Sequence, residues 1–201
     1  MITAGIVLCG GQSQRMGRPK AWLPFGKELL LQRVVRLLGE AVRPIVVVAA
    51  PDQDVPALPA EVEVARDAER GRGPLQGLLA GLTAVKGRAE AAYLSSCDAP
   101  FLKPEFVRRM IDLLGDHSIC VPRVGKYEQP LAAVYRLDVV EAVTRLLRAT
   151  RPGLFCLFSE VPTRVVEPAE LVDVDPTLDT LRNLNTPEEY EAALREAQVV
   201  D

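Results

Sequence analysis

Short apolar runs alternate along the chain with longer segments in which apolar residues recur every three or four positions. Ile2 to Cys9 is apolar, carries β-branched residues and stops at Gly10-Gly11, which predicts a strand running into a loop. From Leu29 to Ala41, the residues Leu30, Val34, Leu37, Leu38 and Ala41 share one helical face. Pro44 precedes Ile45 to Ala50, an unbroken β-branched run of the kind buried on both faces of a parallel sheet. Glu61 to Ala65 predicts a short third strand, Leu75 to Val85 a helix entered through Gly73-Pro74, and Ala91 to Cys97 a fourth strand. Phe106, Met110, Leu113 and Leu114 mark the next helix, with Pro104 in its first turn.

Beyond residue 115 the pattern is less regular. Ser118 to Val124 and Leu131 to Arg136 are strand-like and separated by a polar turn. Val139, Val143, Leu146 and Leu147 form another helical face, Leu154 to Val161 predicts a short helix, and Arg164 to Val166 a short strand. Thr186-Pro187-Glu188-Glu189 opens the last helix: Thr186 is the N-cap, Pro187 the first helical residue, and Glu189 closes a capping box. Strands alternating with helices predict an α/β fold of three layers, doubly wound about a mixed, mostly parallel sheet. Such sheets bind ligands beyond the carboxyl ends of their strands, so the loops that matter are 9–27, 66–77, 97–102 and 182–186.

Composition narrows the classes. With 201 residues, 48% hydrophobic and 25% charged, the chain is globular and buries a core without disulfides. It forms one domain or two closely fused lobes. A net charge of -3 argues against electrostatic binding of nucleic acid, and no apolar run nears the ~20 residues that span a bilayer. No basic segment opens the chain ahead of an apolar one, so the expected location is cytoplasmic. Cys9, Cys97, Cys120 and Cys156 include no CxxC pair; buried free thiols are expected, ahead of a disulfide or a metal site.

The first loop reads Leu8-Cys9-Gly10-Gly11-Gln12-Ser13-Gln14-Arg15-Met16-Gly17-Arg18-Pro19-Lys20. Glycines let backbone approach a ligand, and successive N–H groups can form an anion-binding nest. Arg15, Arg18 and Lys20 add three cations, a combination suited to a triphosphate. Neither a Walker A motif nor a GxGxxG fingerprint is present. Asp98, in Cys97-Asp98-Ala99-Pro100-Phe101-Leu102, follows a buried strand. There it either caps a turn or faces the ligand crevice, where one carboxylate plus phosphate oxygens suits Mg²⁺. Asp67, ahead of Gly73-Pro74-Leu75-Gln76-Gly77, either makes an Asx turn or accepts hydrogen bonds from a sugar or base.

The first-loop string resembles the signature LxGGxSxRMGxxK of nucleotidyltransferases with a Rossmann-like fold and matches every fixed position. The Gly73–Gly77 turn after Asp67, and Asn183-Leu184-Asn185-Thr186-Pro187-Glu188-Glu189, resemble elements of the molybdenum cofactor guanylyltransferases. The four motifs stand in the family's order and span residues 3–195. This resemblance implies a nucleotide-diphospho-sugar transferase-like fold in a single domain, with residues 1–115 as nucleotide-binding half and 116–201 as acceptor-substrate half. It implies transfer of GMP from GTP to the terminal phosphate of Mo-molybdopterin, with Mg²⁺ as cofactor and pyrophosphate leaving. Leu8, Cys9, Gly10, Gly11, Lys20, Asp67, Gly73, Pro74, Leu75, Gly77 and Asp98 would then contact GTP. Lys20 and Arg15 would neutralise developing charge, and Asp98 would hold the metal. Asn183, Asn185 and Gln129 would lie on the acceptor side. Implied partners are GTP, Mo-molybdopterin and, transiently, proteins that supply the pterin or receive the cofactor; nucleic acid and membrane are not among them.

The chain also departs from that family. Val48-Ala49-Ala50-Pro51 stands where some members place a nucleotide-touching asparagine, Gln129-Pro130 stands for His-Pro, and Tyr190 replaces a leucine, with an effect expected on packing only. Two other readings stay open. One is a cytidylyltransferase for the same pterin or another small phosphorylated acceptor, disfavoured by the Gly73–Gly77 turn and the two asparagines. The other is a non-catalytic nucleotide- or pterin-binding delivery protein, disfavoured by the intact Lys20 and Asp98. His117, the single histidine, is expected to be a solvated loop residue with no acid–base role. Trp22 is expected to pack or to flank the pterin.

Overall fold

The computed structural model describes residues 1–10, 19–67, 73–148 and 153–200. In chain order the elements are β1 (Thr3–Leu8), β2 (Pro24–Phe25), β3 (Glu28–Leu29), α1 (Leu30–Gly39), β4 (Ile45–Ala49), β5 (Glu63–Arg66), α2 (Pro74–Ala84), β6 (Ala91–Ser96) and α3 (Pro104–Leu113). There follow β7 (Ile119–Val124), β8 (Tyr127–Glu128), β9 (Ala133–Arg136), α4 (Val140–Leu146), α5 (Leu154–Leu157), β10 (Thr163–Val166) and α6 (Pro187–Val200).

One sheet runs β10-β7-β9-β6-β1-β4-β5, with β8 paired to the end of β7. Its long strands are parallel except β9, which lies antiparallel to both β6 and β7. The carboxyl ends of β1, β4, β5 and β6 therefore open on the same edge. The register pairs Leu8 with Val48 on one side and with Ser96 on the other, which brings the loops after β1, β4 and β6 together.

Successive strand residues point to opposite faces, and both faces are covered. Val7, Ile45, Val47, Tyr93 and Val134 meet Leu31, Val34 and Leu38 of α1 and Phe106 and Met110 of α3. Ala4, Ile6, Val46, Val48 and Leu94 meet Leu75, Leu78 and Leu82 of α2, Val143 of α4 and Leu154 of α5. The result is the doubly wound, three-layer arrangement expected of strands that are apolar throughout.

α2 lies unusually near β1 because of Gly77 and Gly81, one helical turn apart. A Cβ on Gly81 would come within 2.6 Å of Ile6 Cγ2, and one on Gly77 within 2.9 Å of Leu8 Cδ2. A third apolar cluster joins the two ends of the chain: Leu23, Phe25 and Leu30 pack with Leu184, Ala193 and Ala197. α6 thereby docks on the β2–β3 hairpin. The expected capping box forms, with Glu189 N donating to Thr186 Oγ1 at 3.2 Å and Thr186 N to Glu189 Oε2 at 3.1 Å.

Several expectations need correction. Leu131 does not begin a strand: Pro130–Ala132 form a 3₁₀ turn, and β9 starts at Ala133, because proline cannot donate to a ladder. The helix expected over Leu154–Val161 ends at Leu157. Cys9, Cys97 and Cys120 are buried free thiols, but Cys156 is exposed on the outer side of that one-turn helix. Trp22 remains 44% exposed, with its Nε1 donating to Asp54 O at 3.2 Å. Tyr190 does more than pack, since its hydroxyl donates to Pro24 O and ties α6 to the hairpin. His117 is half-buried, with Nδ1 3.2 Å from Leu114 O.

Gly81→Val should drive a side chain into Ile6 and lower stability by about 1–3 kcal/mol, as overpacking a close-packed core does. Gly39→Ala, where a Cβ meets nothing within 4 Å, should be neutral or stabilising. Urea denaturation checks both: the midpoint should fall for the first and not for the second, at unchanged slope.

Candidate active site

At the carboxyl edge the loops enclose a cleft of about 440 Å³. Leu8, Cys9 and Gly10 form its floor at the end of β1, and Val48, Ala50 and Asp67 one wall. Gly73, Pro74 and Gly77 bring in the start of α2, while Ser96, Cys97 and Asp98 come from the end of β6. Lys20, Leu131, Asn183 and Asn185 complete the rim.

Lys20 sits at the start of a 3₁₀ turn over Lys20–Trp22, where Ala21 is buried and fixes the turn. That points the lysine across the cleft to Asp98, with Nζ 2.6 Å from Oδ2 and the two side chains only 17% and 11% exposed. Nζ also donates to Asn185 Oδ1 at 3.0 Å. Ser96 donates its hydroxyl to the other Asp98 oxygen, Oδ1. Leu184 N donates to Asp98 O at 3.0 Å. Leu184 itself is buried in the third apolar cluster, so the flanking Asn183 and Asn185 are held on the cleft side of the chain.

Asp67 continues β5, its N–H donating to Ala49 O at 2.9 Å. Its Oδ1 is buried and has no hydrogen-bond partner among the described residues. Two glycines leave room around the carboxylate, because a Cβ on Gly10 would lie 3.6 Å from Oδ2 and one on Gly77 3.6 Å from Oδ1. Burial pushes the Asp67 pKa above the usual carboxylate value. An acceptor in that state gains from any N–H or O–H donor that enters the cleft.

Cys9 and Cys97 lie side by side just past the ends of β1 and β6, on the same face of the sheet. The neighbouring Cys97 thiol, with a smaller contribution from the Gln53 amide, lowers the Cys9 thiol pKa against the opposing effect of burial, whereas the neighbouring Cys9 thiol and burial raise Cys97 well above the ordinary value. Gln53 Nε2 donates to Cys9 O at 2.9 Å, and Ala50 N donates to Gln53 Oε1 at 3.2 Å. The Ala50 backbone, in the loop where some relatives place an asparagine, is thus buttressed by Gln53.

Of the residues singled out in the sequence, the cleft gathers Leu8, Cys9, Gly10, Lys20, Asp67, Gly73, Pro74, Gly77, Asp98, Asn183 and Asn185. Leu75 is instead fully buried in the core below the cleft. Gln129 lines an adjoining hollow of about 110 Å³ that shares Leu131 and Asn183 with the cleft. Gly11 and Arg15 lie outside the described residues. Ser96 and Gln53 were missed. The two serine hydroxyls that close the otherwise buried β6 were the available signal for Ser96, since buried polar groups need partners.

The cleft lies at the carboxyl edge of a doubly wound sheet and is lined by three glycines, a lysine and two aspartates, a set of groups suited to an anionic ligand. The family model of the MobA-like NTP transferase domain matches residues 5–162, and the chain belongs to that family. It is 33% identical over 91% of its length, and 87% of the relative's, to a probable molybdenum cofactor guanylyltransferase of Pelotomaculum thermopropionicum. The crystal structure of molybdopterin-guanine dinucleotide biosynthesis protein A from Archaeoglobus fulgidus shares the fold, with TM-score 0.81 over 98% of this chain and 99% of that one at 19% identity. A Mycobacterium tuberculosis protein solved in complex with manganese has TM-score 0.64 over 97% of this chain and 99% of that one at 21% identity. The protein is therefore a nucleotidyltransferase enzyme.

The raised pKa of Asp67 carries a stability sign. Ionisation is disfavoured in the folded state, so stability is lost as pH rises from the unfolded value, 3.8, through the higher folded value. Asp67→Asn should raise the melting temperature of the ligand-free protein at pH 7, and the gain should vanish as pH falls toward 4. The same substitution should weaken nucleotide binding. Thermal melts across pH, with and without nucleotide, check both.

Proposed function

We propose that the protein transfers GMP from GTP to the terminal phosphate of Mo-molybdopterin, releasing pyrophosphate and forming the molybdopterin guanine dinucleotide cofactor. The observation that carries this reading is the Lys20–Asp98 pair spanning the cleft, with an Asp67 oxygen that has no hydrogen-bond partner among the described residues. Guanine presents N1–H and N2–H₂ side by side on its Watson–Crick edge, a two-donor match for a carboxylate. Cytosine presents only its N4 amino donor there.

The donor set fits a divalent cation. Asp98 is a single carboxylate at the cleft edge, and no group of three or more His, Cys, Asp or Glu side chains that could hold a metal occurs among the described residues. Mg²⁺ binds in this way, through one or two carboxylates with phosphate oxygens and water filling the rest. When bound, such an ion neutralises charge on the α- and β-phosphates. The manganese complex of the tuberculosis protein supports a hard divalent ion in this fold.

The chain's own groups do the positioning. Lys20 leaves Asp98 for the α-phosphate without losing all its partners, because Asn185 Oδ1 already accepts from it. Ser96 keeps Asp98 oriented while the lysine moves. Glycines 10, 73 and 77 admit the nucleoside and its phosphates close to backbone. The attacking group is a phosphate monoester, already ionised at neutral pH, so no strong base is required and orientation with charge neutralisation carries the rate. Residues 1–115 thus hold the nucleotide. Residues 116–201 contribute Asn183, Asn185 and the Gln129 hollow on the acceptor side of a single domain. Among the described residues no helix is long and apolar enough to cross a membrane, and the proposed reaction takes place on cytoplasmic substrates.

Calorimetric titration of GTP, CTP, ATP and UTP with Mg²⁺ tests the assignment. A response to GTP alone supports it, and a preference for CTP overturns it in favour of the cytidylyltransferase. Lys20→Ala should lower kcat by about 10²–10³-fold, the scale for losing one donor to developing charge. Asp98→Ala should abolish turnover in a folded protein, and wild-type turnover in that variant would remove Asp98 from the metal site.

A further inference from the structure

We propose that Cys9 and Cys97 form a reversible disulfide that distorts the nucleotide cleft, so that hydroperoxides switch the site off. The two residues follow β1 and β6 directly, and these strands pair in parallel with Leu8 opposite Ser96. Cys97 N donates to Leu8 O at 3.0 Å, which carries the pairing one step further and sets the cysteines side by side. Paired strands lie ~4.8 Å apart, inside the ~4.4–6.8 Å between Cα atoms that a disulfide spans. Both side chains leave the sheet on the same face, within the core layer that contains Val7 and Tyr93. Both also line the cleft, at 5% and 6% exposure. A small oxidant that enters the cleft reaches them; a bulky protein thiol does not. Neither Cys120 nor Cys156 is among the residues lining this cleft.

The chemistry balances with a hydroperoxide as oxidant. The Cys9 sulfur attacks one peroxide oxygen; the S–O bond forms, the O–O bond breaks, and water leaves with the thiol proton. The sulfur of Cys97 then attacks that of Cys9; the S–S bond forms, the S–O bond breaks, and a second water carries off the Cys97 proton. Two thiols lose two electrons and one hydrogen peroxide becomes two waters. A dithiol reductant reverses the step by exchange.

Closing the bond draws the sulfurs to ~2.05 Å, well inside their contact distance. The backbone pulled with them includes Gly10 on one side and Asp98 on the other. A misplacement of about 1 Å in such a site costs about 10²-fold in rate. The switch does not depend on which nucleotide the cleft takes.

The test uses the full chain carrying Cys156→Ser, which removes the exposed thiol. After hydrogen peroxide, intact mass should fall by two hydrogens and peptide mapping should find Cys9 linked to Cys97. Affinity for the triphosphate that binds the reduced protein should drop at least tenfold and return with dithiothreitol. Bound triphosphate should slow the crosslink, since it covers both sulfurs. With Cys97→Ala added, no link forms and peroxide carries Cys9 on to sulfinic acid, which dithiothreitol does not reverse. The proposal is overturned if peroxide leaves Cys9 and Cys97 unlinked in the Cys97-containing chain, or if the linked protein binds as before. Should the reduced protein bind no triphosphate, the guanylyltransferase reading fails separately. Crosslink mapping and amide exchange at residues 8–10 and 96–98 then decide the switch, and unchanged exchange in the linked protein overturns it.

Discussion

The ion pair between Lys20 and Asp98 joins two loops that the chain separates by 78 residues, and it does so with both side chains largely withdrawn from water. Withdrawing two charges costs about as much as their attraction returns, so a pair like this is a poor source of stability. Its partners hold both charges in place. Ser96 holds one Asp98 oxygen from below, and Asn185 holds the lysine from the far end of the chain. On the proposed reading the charges are oriented in advance of a ligand, and an arriving phosphate would meet groups already in place.

Keeping those ends in place is the work of the sheet. β1 lies at its centre, paired with β4 and β6, and the loops after all three are the walls of the cleft. The antiparallel β9 returns the chain so that Leu131 enters beside β6 at the same edge. The last contribution comes from α6. Its apolar face sits on Leu23, Phe25 and Leu30, beside the turn that carries Lys20. The same docking buries Leu184, whose amide reaches back to Asp98 O. In Asn183-Leu184-Asn185 the leucine is the anchor and the asparagines are what it delivers to the cleft.

Much of this was legible. Strands apolar on both faces and helices with one apolar stripe come out within a residue or two, because burial on a parallel sheet leaves an unambiguous pattern. The two-residue strands β2 and β3 carry no periodicity to read, so the hairpin under α6 was invisible, and with it the hydrogen bond of Tyr190. Charged site residues announced themselves because a charge at a strand end needs a reason. Ser96 and Gln53 did not, since each acts by holding another site residue, and that relation exists only in three dimensions. Leu75 is spaced like its glycine neighbours, yet its side chain is buried in the core, a placement the motif alone does not reveal.

Gly77 shows why a motif position can resist a single explanation. A Cβ there would strike Leu8 beneath the helix and crowd Asp67 Oδ1 beside the cleft. The glycine therefore sets the approach of α2 to β1 and also the open volume around the Asp67 carboxylate. These are not separable duties, because the start of α2 forms part of the cleft wall and its height above the sheet decides how far Asp67 can be reached. Packing and binding meet in the same missing methyl group, so the turn's spacing in sequence is fixed by the core at least as firmly as by the ligand.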